Sequence, residues 1–182
     1  MPAASTDFSD RVAVLAAVSI DGCALKHAEA FQADREVVLA AVRQTGYALS
    51  SAAPAMQADR EVVLAAVKSE GGALADASDD LRAERPVVLA AIRQNYDAFM
   101  FAADELRADA AFVMTVVREF GNALCHATYD LRADRTIVLA AVQQTSGALK
   151  YAAEELQGDE EILSACNANG GAPGKPEKPS VQ

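Results

Sequence analysis

Seven copies of one motif, Asp-Arg-x-Val-Val-Leu-Ala-Ala-Val in its fullest form, open at Asp10, Asp34, Asp59, Glu84, Asp109, Asp134 and Asp159, one step of 24 residues followed by five of 25. A fixed period in this range marks a stacked architecture, in which one small unit cannot bury its apolar face without its neighbour. Six copies read as complete and the seventh as a terminal half-repeat. Residues 10–169 are therefore expected to form one elongated domain, between a lead-in at 1–9 and a Gly/Pro/Lys-rich tail at 170–182 whose composition predicts disorder.

Within a copy, the opening acid can accept first-turn N–H groups and face the positive end of a helix dipole. A first helix, A, is therefore expected to begin at each acid and to run for roughly ten to twelve residues. Pro86, just after Glu84, suits a first turn, where its missing N–H has no intrahelical partner. The body of the helix, such as Val37 to Val42, is apolar on nearly every side, which predicts burial on both sides. On that placement, Leu89→Ala should cost about 2–5 kcal/mol. The column Gly22, Gly46, Gly71 and Gly121 is expected to close helix A in the left-handed conformation.

A shorter helix B of about two turns follows as Ala-Leu-x-x-Ala, for example Ala48, Leu49 and Ala52, its alanines suited to close packing. Pro54 predicts a break at its column, ahead of a one-turn element carrying Phe31, Met56, Leu81, Leu106, Leu131 and Leu156 into the core. The Ala-Ala pair and the opening acid favour helix over a buried strand, and the Leu-x-Leu and Asn pattern of leucine-rich horseshoes is missing. The expected fold is all-α: a right-handed or gently curved α-solenoid of short helical hairpins with a 25-residue period. In copy seven, Ser164 and Asn167 replace Leu and Val, and Asn169, Gly170 and Gly171 should stop the helix as a polar cap. Before Asp10 only Phe8 could cover the first helix, which points to self-association through that edge or to a longer array.

The segments at 34–42 and 59–67, each followed by Gly-x-Ala-Leu, and the Leu-Arg-Ala-Asp of later copies closely resemble the repeat family known as domain of unknown function 4116. The resemblance runs from about Asp10 to Ile162, one family unit covering about two copies. It implies a helical repeat; the family has no established activity, so no functional residue carries over. Copy five departs most, with Ala110 in place of Arg and with Phe112, Met114, Thr115 and Val116 in the helix body.

Composition narrows the function classes. A net charge of −10 disfavours nucleic acid, whose phosphates need Lys and Arg. Apolar runs are far shorter than the roughly 20 residues of a spanning helix, and no signal sequence opens the chain, so an intracellular, cytoplasmic protein away from membranes is expected. Cys23, Cys125 and Cys166 read as reduced thiols. His27 and His126 share a column four copies apart, about 30–40 Å at helix-packing distances. Cys23 and His27, four apart on one helical face, offer two ligands where zinc needs three or four, so no metal and no cofactor is expected, Cys23 reading as a buried thiol. Asp79 with Asp80, Asp104 with Glu105 and Glu154 with Glu155 fall in turns as solvated acids, and Arg35, Arg60, Arg85 and Arg135 should form an ion-pair ladder with adjacent copies.

With no catalytic constellation, the chain reads as non-enzymatic; a site completed by another domain is the remaining catalytic possibility. The leading expectation is a scaffold that binds an unknown protein or peptide through columns that vary between copies. Tyr96, Met100, Phe101, His126, Tyr129 and Tyr151 are the candidate partner surface. Two placements of that stripe stand open: an exposed groove, or core beneath the one-turn element, with Phe99 and Phe112 filling volume. The alternative function is a structural spacer or self-assembling segment of a longer repeat protein.

Overall fold

The computed structural model describes residues 10–168, so Phe8, the Asn-Gly-Gly stop and both flanking segments fall outside the described residues. The chain divides into two compact units, residues 1–103 and 104–182. All regular elements among the described residues are helical. Helix A spans Arg11–Ile20, Arg35–Gln44, Arg60–Ser69 and Arg85–Gln94 in the first unit, and Ala110–Glu119, Arg135–Gln144 and Glu160–Ala168 in the second. Within each unit, consecutive A helices pack side by side, as do consecutive B elements, in a stretch of α-solenoid.

The opening acids cap as expected. The Asp59 carboxylate accepts from the N–H groups of Glu61 (2.9 Å) and Val62 (3.2 Å), and Asp34, Asp134 and Asp159 do the same in their copies. Glu84 holds the cap position without a side-chain bond to the helix. Of the two N–H groups that reach the acid in other copies, one is missing here at Pro86 and the other, that of Val87, donates to the Glu84 backbone carbonyl (3.0 Å), while the Glu84 carboxylate accepts from Arg60 Nε at 2.6 Å.

Helix A closes differently from the expectation. Its C-cap residue, Thr45 in copy two, is extended (φ −146°, ψ 107°), and the glycine that follows opens the next element. None of the four column glycines has a left-handed φ. What they meet is a neighbour: a Cβ on Gly22, Gly46, Gly71 or Gly121 would stand well under 3.0 Å from the carbonyl oxygen of Ala41, Ala66, Ala91 or Ala141 in the following copy. The following copy also satisfies the glycine N–H. Gly22, Gly71 and Gly121 donate to Oε1 of Gln44 (3.0 Å), Gln94 (2.7 Å) and Gln144 (2.8 Å), and Gly46 donates to the Glu70 carboxylate. The column is glycine because two backbones approach there.

Helix B is six residues of 3₁₀ helix, Gly46–Ser51 in copy two, rather than α-helix. Three residues per turn put i and i+3 on one face, so Cys23 and His27, four apart, point about 120° away from each other. Both are exposed, which also corrects the expectation of a buried thiol at Cys23. The break falls at Ala52 and Ala53, just ahead of Pro54, and Pro54 is the first residue of the one-turn helix Pro54–Gln57. Of the residues that helix carries, Leu81, Leu106 and Leu131 are buried, whereas Phe31, Met56 and Leu156 are half-buried. One backbone bond ties each break to the preceding copy: Ala53, Ser78 and Ala103 N–H donate to the carbonyls of Gln32, Gln57 and Arg82 (2.8–2.9 Å), and Thr128 and Ala153 repeat the pattern in the second unit.

Helix A is one-sided. Val62, Val63, Ala66 and Val67 are fully buried, as are Val87, Val88, Ala91 and Ile92. Leu64, Leu89 and Leu139 are only half-buried, although Leu39 is buried in copy two, so most of the leucine column is not interior and a 2–5 kcal/mol loss does not belong to Leu89. Ser164 in copy seven therefore replaces a half-exposed residue; Asn167, exposed where other copies bury Val or Ile, is the polar change that matches a terminal copy.

These packing arguments separate four substitutions in urea denaturation. Ile92→Ala should cost about 2–5 kcal/mol and Leu89→Ala about 1, in proportion to their burial. Gly71→Ala should cost about 1–3 kcal/mol through overpacking. Gly147→Ala, whose added Cβ would meet nothing nearer than 3.6 Å, should stay within about 0.5 kcal/mol of wild type.

Candidate functional site

The stripe singled out in the sequence is neither core nor an open groove. Met100 (50 %) and Tyr129 (59 %) are exposed, and Tyr96, Phe101, His126 and Tyr151 are half-buried. Phe99 and Phe112, by contrast, are core residues. Tyr96, Met100 and Phe101 belong to the first unit, and His126, Tyr129 and Tyr151 to the second. Tyr96 and Ser146 stand in the glycine column, two exceptions to the rule that keeps that column free of side chains.

In the second unit the aromatic residues already have partners. The Tyr129 hydroxyl donates to Glu155, at 3.3 Å from each carboxylate oxygen, and that carboxylate's charge raises the Tyr129 pKa. Lys150 Nζ sits 4.8 Å from the centre of the Tyr151 ring, and Arg132 Nε donates to the Tyr151 carbonyl at 2.7 Å. Such contacts leave less apolar surface for a partner.

The outer side of helix A offers more. A cleft of about 520 Å³ lies between the A helices of copies two and three, lined by Arg43 on one side and Glu61, Leu64, Ala65, Lys68 and Ser69 on the other. Another, of about 340 Å³, lies between the A helices of copies five and six, where Met114, Arg118, Leu139, Ala140 and Gln143 take the same columns. Leu and Ala form the floor because they point away from the Val-Val-Ala-Val face; a basic residue stands beside them because Arg43, Lys68 and Arg118 occupy the last turn, where a cation faces the negative end of the dipole. Sequence reasoning misses this surface because a leucine set among valines and alanines reads as core. The signal was the polar residue three or four positions away from the leucine on both sides, Glu61 and Lys68 around Leu64.

A family model described as "Domain of unknown function (DUF4116)" matches three times, over residues 13–57, 59–107 and 111–157. The chain belongs to that family. One DUF4116 unit thus takes two of the copies seen here; the first cleft is lined from the first and second such units, and the second cleft from within the third. No curated protein and no solved structure matches the chain.

An ion-pair ladder runs along the start of the DUF4116 A helices. Arg11 binds Asp34 (2.7 Å) and Glu36 (2.6 Å), Arg35 binds Asp59 (2.7 Å) and Glu61, Arg60 binds Glu84, and Arg135 binds Asp159 (3.0 Å) and Glu161. Copy five, with Ala110, supplies no such arginine. These side chains are partly exposed, so solvent screens each rung and its main effect is on register. The Glu61 carboxylate in the cleft wall is thereby engaged by Arg35, while Arg43 and Lys68 have no ion-pair partner among the described residues.

The arginine hydrogen bonds, joined by backbone N–H bonds, hold the carboxyls of Asp34, Asp59 and Asp159 below their ordinary 3.8. A depressed folded-state pKa adds stability above the unfolded value, and that stability is lost as pH falls through the folded value. Burial pushes the Asp76 carboxyl the other way, so its protonation opposes that loss at a single site. The urea midpoint should therefore fall as pH drops from about 4 to about 2, and an Asp34→Asn, Asp59→Asn variant should show a flatter profile over the same range.

Proposed function

We propose that this chain is a non-enzymatic scaffold that binds a protein or peptide along the outer face of its A helices. The observation that carries the reading is the recurrence of one cleft: the same columns of the repeat line it in the first unit and again in the second. A repeat that keeps its buried columns constant and presents an apolar floor with polar rims on one face is suited to extended ligands. This moves the binding surface from the Tyr96, Met100, Phe101, His126, Tyr129 and Tyr151 stripe to the leucine and basic columns of helix A. Panning a random peptide library on immobilised wild type, against a Leu64→Glu, Leu139→Glu variant whose circular dichroism matches wild type, tests it. Peptides retained by wild type and lost from the variant are the expected result; no enrichment over a non-repeat control protein would end the reading.

A second reading, self-association, is supported by the first helix. In other copies the second position after the acid includes Glu36 and Glu61, partners of a preceding arginine, and the tenth includes Gln44, Gln94 and Gln144, caps of a preceding glycine. Copy one carries Val12 and Ile20 there, 72 % and 80 % exposed. Two apolar residues in columns that elsewhere make polar contacts favour contact with a second copy. Sedimentation equilibrium should then show a dimer that Val12→Glu, Ile20→Glu converts to monomer; a wild-type monomer at about 100 μM, a concentration high enough to populate even a weak complex, would remove this reading.

A further inference from the structure

We infer that the partner of the helix A face is an extended acidic peptide with a carboxylate at every third residue and an apolar residue between. This rests on the scaffold reading above and names the ligand class for the same cleft. Three observations point to it. The first is charge. On a chain of net charge −10, the ninth position after the acid is Arg43, Lys68, Arg93 and Arg118 in four successive copies. Arg43 and Lys68 flank the first cleft and have no ion-pair partner among the described residues, while the one acid in its wall, Glu61, is held by Arg35. The uncompensated charge beside the apolar floor is positive.

The second observation is the floor itself. Leu64 and Ala65 are half-buried, so an apolar side chain entering between Arg43 and Lys68 removes further apolar surface from water. The third is spacing. Arg43 and Lys68 hold the same column of consecutive copies, and packed helices lie about 8–10 Å apart. A polyproline-type extended chain crossing those helices advances about 3.1 Å per residue with three residues per turn, so three residues match one copy and return the side chain to the same face. A carboxylate at residue i facing Arg43 places the carboxylate at i+3 opposite Lys68, with an apolar residue between them over Leu64. An α-helical ligand advances only about 1.5 Å per residue and matches that step poorly with acids three apart.

The test uses the full chain and fluorescence anisotropy with a labelled peptide of five Glu-Leu-Pro triplets, whose prolines favour the extended form. A control peptide of the same composition carries its acids at irregular spacing. The regular peptide should bind more tightly than the control, lose about tenfold in affinity to an Arg43→Glu, Lys68→Glu variant, and weaken at 0.5 M salt. A Lys-Leu-Pro peptide should prefer the charge-reversed variant. Should that variant misfold, Arg43→Gln, Lys68→Gln is the substitute, with a smaller expected loss. Equal binding of the two acidic peptides, or binding unchanged by charge reversal, overturns the inference. In that event peptides recovered from the library without regular acids would still uphold the scaffold reading, whereas an empty library selection overturns both.

Discussion

The close approach of the glycine that opens helix B to an alanine carbonyl in the next copy sets the geometry on which the rest of each unit depends. The glycine has no room for a side chain there, and its N–H is satisfied by a glutamine or glutamate from that same next copy. Once those backbones are fixed, the valine and alanine columns of helix A are sealed against the B elements, and the break after helix B comes within reach of a carbonyl of the preceding copy. Within each unit, copies thus complete one another's hydrogen bonding as well as their core.

What stacking does not use is left to face outward. Helix A is only ten residues long in copy three and spends four columns on the core, so its leucine, its first alanine and its last-turn cation lie in a band open to solvent. The ladder at the helix starts partitions charge along this band: acids at the N-terminal ends are engaged by arginines of the preceding copy, while the cations at the C-terminal ends of copies two and three keep no acidic partner among the described residues. An acidic protein therefore carries a locally basic, apolar-floored track. That arrangement follows from the dipole preference of each helix and from stacking, before any ligand is considered.

Much of the fold was legible in the sequence because it is written once per copy. The opening acids named the helix starts, Pro54 located the second break to within two residues, and Leu81, Leu106 and Leu131 marked the buried side of the one-turn helix. Three things were not legible. Gly46 and its equivalents carry the same letter whether glycine is needed for a left-handed φ or for contact with a neighbour, and only the position of Ala66 separates the two. Six residues such as Gly46–Ser51 are too short for a period to distinguish 3₁₀ from α-helix. Leu64 sits among valines and alanines, so its composition reads as core although its position on the helix turns it outward. Variation between copies, by contrast, points to the aromatic stripe, where Tyr129 and Tyr151 already have partners.

The central claim is that the outer face of helix A, and not the aromatic stripe, receives the ligand. Methyl-resolved NMR of the leucine-, methionine- and alanine-labelled chain, titrated with the regular acidic peptide, tests it most directly, because both surfaces carry reporters. Shifts concentrated at Leu64, Ala65 and Leu139, with Met100 unmoved, are the expected result. Shifts centred on Met100, with Leu64 and Leu139 unchanged, would contradict the account.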